Sequence, residues 1–446
     1  MRSLAQIELA WRDPAEAAQP FAEEPWTLAL FSGGNDERAR WSYLARAPDA
    51  TLILSADEPR DAFAALRELL GSPVPSGQDG PPFQGGVAGL AAYEFGDRTE
   101  PVGLSRQPDW PDLAAARYPA VLAFDHARGR VLALGRGAGA KEAEAAARRA
   151  AGWLDGPRPS NGSPMPATAL EAANGAAYES AVAEVVGRIA AGEIFQANIA
   201  RAWRGRLAAG ASPFDLMRRL RAGSPAPFAA YLRLPGRAVV SNSPERFLCV
   251  RDGLAETRPI KGTRPRGRSP AEDAVLAAEL LVSAKDRAEN LMIVDLMRND
   301  LARVCAPGSV RVPQLFEIES FANVHHLVST VQGKLALGRS ALDLLRAAFP
   351  PGSITGAPKV QAMKVIAGLE PPRGPYCGSI FWAGFDGALD SSVLIRTVAC
   401  IEEAEGWRIE ARAGAGIVAD SDPHAERLET EAKIAAIVRA LGGCPG

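Results

Sequence analysis

The sequence has few cysteines and histidines, with five and four respectively among its 446 residues. The cysteines are odd in number and scattered, and they form no Cys-x-x-Cys pair. This pattern argues against a disulfide framework and favours a reducing, cytoplasmic setting. No group of histidines and cysteines has the spacing of a zinc site.

Long apolar runs and an excess of one charge are also absent. No stretch of about 18 unbroken apolar residues occurs, so no membrane span is predicted. The first 18 residues carry acids and no continuous apolar core, so no signal peptide is expected. The net charge of −2 is spread along the chain, which gives no reason to expect nucleic acid or membrane binding.

The hydrophobic patterns divide the chain into two regions. Residues 1–155 are rich in strand patterns, residues 156–175 form a linker rich in Pro, Gly and Ser, and residues 176–446 mix both types. Helices do not alternate one for one with strands, and neighbouring strands pair locally. These patterns predict an α+β fold with antiparallel sheets.

The elements themselves follow from periodicity and turn residues. Helices are predicted at 140–154, 178–191, 286–304, 341–349, 358–369 and 422–441. Strands are predicted at 26–31, 51–54, 228–234, 238–250, 379–385, 392–401 and 407–413, with a hairpin formed by 120–124 and 130–134.

One glycine-rich segment resembles a dinucleotide-binding fingerprint. Residues 135–140 read Gly-Arg-Gly-Ala-Gly-Ala between a predicted strand and a predicted helix. That strand belongs to a hairpin, however, whereas a dinucleotide site needs a βαβ unit with an acid ending the next strand. The pattern therefore favours a plain glycine-rich turn.

Three glutamates could hold a hard cation. Glu426 and Glu429 are spaced i, i+3 and share one face of the last helix, with Lys433 one turn later. Glu289 lies near the start of the helix predicted at 286–304. The alternative is that all three are helix-terminal acids that complement the helix dipole. If a metal binds glutamates only, the oxygen ligands favour Mg²⁺.

An amine and a carboxyl are candidates for chemistry. Lys261 lies in a basic segment and is bracketed by Pro259 and Gly262, so it is either part of a phosphate-binding or solvated loop, or a nucleophile with a lowered pKa. Glu245 follows Asn-Ser-Pro at the end of a strand. It is either a surface partner of Arg246 or a general acid.

Two further segments carry polar groups of interest. Residues 350–359 form a turn that feeds a helix, so their free N–H groups could bind a carboxylate, or could belong to an ordinary capped loop. His325 and His326 are adjacent in an alternating segment, so one is expected to point inward and the other outward. An inward histidine is more often a satisfied core residue.

Together these segments resemble the chorismate-utilising enzymes. The motifs SPERF, PIKGT, LMIVDLMRNDL, NVHHLVSTVQG, GSITGAPK, DSSVLIRT and RAGAGIVADSDPHAERLETEAK occur in that family's order and span residues 178–438. PWTLALFSGG and FQGGVAGLAAYEFG extend a weaker similarity into the N-terminal region. The resemblance implies two large antiparallel sheets with helices packed outside, and an Mg²⁺ cofactor.

Two positions narrow the resemblance. Family members that add water carry a lysine base where this chain has Gln196, and members that aminate C2 typically have alanine where it has Lys261. The resemblance therefore implies amination of chorismate at C4, on the route to 4-aminobenzoate and folate; C2 amination remains the alternative. A non-catalytic scaffold would be expected to have lost catalytic or metal residues, and all are present.

The resemblance also implies roles. Lys261 attacks C2, Glu245 protonates the departing C4 hydroxyl, and Glu289, Glu426 and Glu429 hold Mg²⁺. The implied substrate contacts are Gln196, Thr263, His326, Thr355, Gly356, Tyr376, Arg396, Gly414, Gly416 and Lys433. Because no cysteine is placed in a nucleophile elbow with a histidine partner, ammonia is expected from a separate glutamine amidotransferase subunit or from solution.

Overall fold

A computed structural model describes residues 3–33, 37–74, 80–156, 167–320 and 324–442. Ten of the twenty residues of the predicted linker, 157–166, lie outside these ranges. Every strand pair that the structure describes is antiparallel, and the strands form one sheet of twelve and one of ten. The α+β prediction with two large antiparallel sheets is therefore confirmed. In the described ranges no helix is long and apolar enough to cross a membrane.

The strands, in chain order, are β1 Ser3–Ala10, β2 Leu28–Phe31, β3 Trp41–Ala45, β4 Ala50–Leu54, β5 Gly86–Ala91, β6 Leu113–Tyr118, β7 Ala120–Asp125, β8 Arg130–Gly137, β9 Glu171–Ala172, β10 Gln196–Arg206, β11 Phe228–Leu234, β12 Arg237–Ser243, β13 Arg246–Arg251, β14 Leu254–Thr257, β15 Ile260–Pro265, β16 Arg311–Ser320, β17 Val324–Lys334, β18 Gly356–Ala357, β19 Ser379–Gly384, β20 Leu389–Val393, β21 Thr397–Glu403 and β22 Gly406–Ile417. The helices are α1 Pro14–Ala18, α2 Ala62–Leu70, α3 Ala140–Gly152, α4 Gly175–Ala190, α5 Pro213–Gly223, α6 Pro270–Val282, α7 Ala284–Ala302, α8 Ala341–Ala348, α9 Lys359–Leu369 and α10 Pro423–Ala440.

Both sheets combine strands from the two regions of the sequence. The first runs β1-β8-β7-β3-β2-β11-β12-β21-β22-β10-β18, with β9 beside β10. The second runs β15-β17-β14-β13-β20-β19-β5-β6-β4, with β16 beside β17. The N-terminal strands β2 and β5 pair with the C-terminal strands β11 and β19, so backbone hydrogen bonds join residues 1–155 to the remainder.

The core lies in layers. Apolar side chains of both sheets meet between them, among them Leu90, Val239 and Trp382. The outer face of the first sheet packs against α1, α3, α5 and α10, and the second sheet packs against α2, α7 and α8. The prediction that the helices pack outside the two sheets is confirmed. Strands covered on both faces carry nearly continuous apolar runs, as β7 does.

Local sequence explains where the helices begin. Ser283 caps α7 by accepting the backbone N–H of Asp286, and Asp422 caps α10 with Pro423 at its first position. These caps fix the starts of the two helices that carry the predicted metal ligands. The helix predictions agree with the structure to within three residues at each end.

Two segments that were each predicted as one continuous strand are interrupted in the structure. The 238–250 segment breaks between β12 and β13, because Pro244 has no N–H to donate to a ladder. The 392–401 segment breaks between β20 and β21, where Arg396 has a left-handed φ of 51°. The backbone N–H of Val393 donates to the carbonyl of Glu245, so the two breaks lie side by side.

The N-terminal region holds more helix than its sequence suggested. Helices α1 and α2 precede α3, and α2 buries Phe63 and Leu66 on one face after an Asp61 cap. The glycine-rich segment is the end of β8, which pairs with β1 and β7, so the predicted hairpin is confirmed. A Cβ on Gly135 would lie 2.2 Å from the Ala143 carbonyl oxygen, so this glycine permits close packing of α3.

Candidate active site

Lys261 lies on β15, the edge strand of the second sheet, and its side chain is only 13% exposed. Its Nζ approaches an oxygen of Glu289 to 4.0 Å. A Cβ added to Gly416 would lie 3.0 Å from Lys261 Nζ and 2.9 Å from Gln196 Nε2, so the three residues converge. Burial lowers the pKa of Lys261 although Glu289 opposes the shift, which favours the neutral, nucleophilic amine.

Glu245 is buried at the break between β12 and β13. Its Oε1 accepts a hydrogen bond of 2.7 Å from the Ser353 hydroxyl. Burial raises the pKa of Glu245 to about 7, while Ser353, Lys261 and Lys433 act to lower it. A carboxyl with such a pKa carries a proton at neutral pH for part of the time, as a general acid must.

The three predicted metal ligands come from two helices, α7 for Glu289 and α10 for Glu426 and Glu429. Burial raises the pKa of Glu289, and the charge of Glu426 adds to that rise. Burial likewise raises the pKa of Glu426, with Glu429 adding to the rise. Burial also acts to raise the pKa of Glu429, but its ion pair with Lys433, at 2.6 Å, leaves it lowered.

Within the described ranges, no three His, Cys, Asp or Glu side chains form a ready-made group of metal ligands. The chemistry of the three glutamates nevertheless suits Mg²⁺. They offer oxygen donors only, and Glu426 repels both of the others, as carboxylates near one another do without a cation between them. The donor set fits the ion in kind, and Mg²⁺ binding here stays a prediction.

Strands β10 and β22 form the wall opposite Lys261. Asn198 pairs with Gly416 and Ala200 with Gly414. The buried Gln196 Nε2 and Oε1 and Asn198 Oδ1 have no hydrogen-bond partner within the described chain. Buried amides are normally satisfied, so these atoms mark where a polar ligand would bind. Lys433 Nζ supports the wall by donating to the Gly414 carbonyl at 2.8 Å.

The turn at 352–357 closes one end of this wall. Gly356 pairs with Ala197 at φ 140°, and a Cβ there would lie 2.2 Å from the Gln196 carbonyl oxygen. Only glycine fits such a position without strain. The Thr355 hydroxyl and N–H donate to Pro351 and Gly352, so both donors are already used. The Thr355 N–H is therefore not one of the free donors that were expected to bind an anion at this turn.

Arg396 and Tyr376 were predicted to hold a carboxylate. Arg396 lies in the break between β20 and β21, and no carboxylate of the described residues acts on its charge. Burial lowers the pKa of Arg396, with no carboxylate to offset it. Tyr376 is buried, and its ring centre lies 5.8 Å from the guanidinium carbon of Arg373. Burial holds the pKa of Tyr376 well above its usual range. An unpaired guanidinium is available for an anionic ligand.

The two histidines differ from the expected inward and outward arrangement because both are buried. His326 Nδ1 contacts the Thr263 hydroxyl at 2.9 Å, which places both residues on the strand pair that carries Lys261. His325 faces the opposite side, where α6 covers it and Asp273 contacts its Nε2 at 2.9 Å. His325 is thus a satisfied core residue.

Two buried contacts within the motifs were not predicted from the sequence. Ser353, which holds Glu245, lies inside the GSITGAPK motif but was not singled out. Lys359 of the same motif is buried and donates to Asp300 at 2.7 Å and to the Ala348 carbonyl at 2.6 Å. The only sequence signal for these two residues was that both lie within the GSITGAPK motif.

Comparison with known proteins places the chain in one family. The family described as chorismate binding enzyme matches residues 29–439. Aminodeoxychorismate synthase component 1 from Klebsiella aerogenes is 39% identical over 99% of this chain and 100% of its own length. Anthranilate synthase component 1 from Streptomyces coelicolor is 41% identical over 90% of this chain and 81% of its own.

A solved structure agrees. Anthranilate synthase component I from Streptococcus pneumoniae shares 28% identity with a TM-score of 0.80, covering 91% of this chain and 93% of that one. The chain therefore belongs to the chorismate binding enzyme family, whose fold it shares over nearly its whole length.

Proposed function

We propose that this chain catalyses the Mg²⁺-dependent amination of chorismate at C4, giving 4-amino-4-deoxychorismate for 4-aminobenzoate and folate synthesis. The observation that carries the proposal is the position of Lys261. Its buried amine has a lowered pKa and lies against Gln196 and Gly416, near the general acid Glu245. Relatives named aminodeoxychorismate synthase component 1 at about 40% identity over nearly the full length support it.

In the first step the neutral Lys261 amine forms a bond to ring carbon C2. The ring double bonds shift and the C4–O bond breaks. The leaving oxygen takes the proton of Glu245 and departs as water, because an unprotonated hydroxide would leave poorly. The carboxyl of Glu245, held by Ser353, is then ionised.

In the second step ammonia bonds to C4, the double bonds shift back and the C2–nitrogen bond breaks. Lys261 leaves as a neutral amine, and Glu245 takes the surplus proton from the new ammonium group. The sum is chorismate plus ammonia to aminodeoxychorismate plus water. Two allylic displacements place the new nitrogen at C4, which explains why a lysine favours C4 over C2.

Charged groups of the candidate site would orient the substrate. Glu289, Glu426 and Glu429 would hold Mg²⁺, which when bound neutralises charge on the ring carboxylate. Arg396 would take the enolpyruvyl carboxylate through its forked donors, and Tyr376 would be the second contact of that carboxylate. His326 and Thr263 line the β15–β17 side near the reacting ring, and the Gln196 and Asn198 amides line the other.

The ammonia is expected to come from a glutamine amidotransferase subunit. The relatives are named as component 1, which implies a second component. The letters Gly-x-Cys-x-Gly occur once, at residues 442–446, where they follow the last helix instead of joining a strand to a helix as a nucleophile turn does. We place the reaction in the cytoplasm because the cysteines are scattered and the four described ones are free, as in a reducing compartment.

The direct test is incubation of the purified chain with chorismate, Mg²⁺ and ammonium, followed by chromatography and mass spectrometry. We expect aminodeoxychorismate that keeps its enolpyruvyl group, with no release of pyruvate. After a rapid acid quench, the peptide that contains Lys261 should carry the added mass of the substrate-derived ring. Addition of a lyase specific for aminodeoxychorismate should then release 4-aminobenzoate. Direct formation of fluorescent anthranilate would contradict the proposal.

Amination at C2 is the second candidate. It is favoured by relatives named anthranilate synthase component 1, at 41% identity. It would need no covalent lysine, because ammonia itself would attack C2. In that case Lys261→Ala would retain most of the activity.

A further inference from the structure

A buried arginine outside the quoted motifs joins two walls of the site. Arg373 is 1% exposed, and its guanidinium reaches three elements at once. Its Nη2 donates to the Asn198 carbonyl on β10 at 2.7 Å, and its Nη1 donates to the Ile354 carbonyl at 3.2 Å. The first carbonyl belongs to Asn198, whose amide lines the candidate site, and the second belongs to the residue after Ser353.

A second group of bonds fixes the guanidinium itself. Glu370 pairs with Arg373 through both carboxylate oxygens, at 2.9 and 3.0 Å, and also accepts the backbone N–H of Ala200. The ring of Tyr93 lies 4.6 Å from the guanidinium carbon. Glu94 accepts the backbone N–H groups of Arg373 and Gly374. The arginine is therefore held on every side and cannot adjust independently.

The two carbonyls that Arg373 holds lead to the reacting groups. Ile354 ends a single 3₁₀ turn, Gly352–Ile354, which includes Ser353, the residue that binds the Glu245 carboxyl. Asn198 carries one unpartnered amide, and Gln196 carries another on the same face of β10. We propose that Arg373 is a positioning residue that fixes Glu245 relative to the Gln196–Asn198 wall. The positional role is argued from the hydrogen bonds alone, whereas its effect on turnover rests on the proposed function.

A guanidinium suits this role and an ammonium does not. Arginine offers five N–H donors in a planar fork, so one side chain can bind Asn198, Ile354 and Glu370 together. Lysine in its place has one nitrogen and cannot span both carbonyls. We expect Arg373→Lys to fold with the charge pair retained while the turn at 352–354 loses its anchor.

The first measurement reads the Glu245 carboxyl without any substrate. The charged groups that act on it are Lys261 from β15 and Lys433 from α10, and Ser353 is its hydrogen-bond donor. ¹³C NMR titration of glutamate-labelled protein, with Glu245→Gln to assign the signal, gives its pKa. In Arg373→Lys the loosened Ser353 bond should shift that pKa upward by about one unit.

The second measurement is kinetic. A displacement of the acid by a fraction of an ångström should lower kcat by about 10- to 100-fold while KM changes little. A double variant, Arg373→Met with Glu370→Leu, removes both buried charges and so avoids an unpaired carboxylate. It should still fold, at a lower melting temperature because the Ala200 N–H and two carbonyls lose their partners, and show the same loss of kcat.

The matched control is Arg233→Lys, a buried arginine on the first sheet that pairs with Glu402 at 2.7 Å and lies over Trp407. It should leave the Glu245 titration and kcat unchanged. If folded Arg373→Lys and the double variant both keep the parent's Glu245 titration and kcat, the positioning role is wrong. Failure of the parent to aminate C4 would instead contradict the proposed function, and the titration would still report on Arg373.

Discussion

Two buried lysines of this chain have very different surroundings. Lys359, at the start of α9, donates to Asp300 and to the Ala348 carbonyl at hydrogen-bonding distance. Lys261, on β15, comes no closer than 4.0 Å to the Glu289 carboxylate and lies against a glycine and an orphaned amide. A fully paired amine joins helices, whereas an under-paired amine can lose its proton and react.

The largest effect should come from Lys261→Ala. It removes the nucleophile, so we expect C4 amination to fall about a thousandfold or more and the covalent adduct to vanish. Product formation by chromatography and intact-protein mass spectrometry provide the measurements. The melting temperature should hardly change, because the lysine has no close ion pair to lose. A parent-like rate would show that Lys261 is not the nucleophile.

The corresponding change at the other lysine should affect stability. Lys359→Met leaves Asp300 buried without its partner, which should lower the free energy of unfolding by about 3–5 kcal/mol. Adding Asp300→Leu removes the stranded charge and should restore most of the loss. Urea denaturation followed by tryptophan fluorescence measures both. A kcat loss in Lys359→Met as large as in Lys261→Ala would break the distinction between the two sites.

The general acid should produce a smaller and pH-dependent effect. Since the raised pKa of Glu245 is about 7, its protonated, active form is lost as pH rises through that value. We expect kcat/KM to fall about tenfold per pH unit above it. Glu245→Gln should lower kcat about a hundredfold and remove that fall. A profile that keeps the same fall in Glu245→Gln would assign it to another group.

Much of this arrangement was predictable from motif order and periodicity. The antiparallel sheets and the i, i+3 spacing of Glu426 and Glu429 follow from local pattern, and the outer helices were implied by the family resemblance. The break at Arg396 was missed, because the apolar residues of 392–401 read as one continuous strand. Glu245 was placed at a strand end after Asn-Ser-Pro, although the predicted strand was continued through to residue 250. Functional residues lie where regular pairing fails, so local pattern is least informative there.

Long-range contacts were beyond the reach of the sequence alone. Ser353 lies 108 residues from Glu245, and Arg373 lies 175 residues from Asn198. No local periodicity reports such pairs, since they depend on how β10 and the 352–354 turn meet in the folded chain. The different surroundings of Lys261 and Lys359 likewise appear only when partners from distant segments are in place.

The smallest effect should come from Ser353→Ala, which removes one hydrogen bond from the acid and leaves both lysines untouched. That bond favours the ionised form of Glu245, so its loss should raise the pKa and move the fall in kcat/KM to higher pH. The rate at pH 6 should drop only a few-fold, because the acid remains in place. Ser353→Thr, which keeps a hydroxyl, is the matched control for the pH profile. A fall that moves to lower pH instead would mean that Ser353 stabilises the protonated carboxyl.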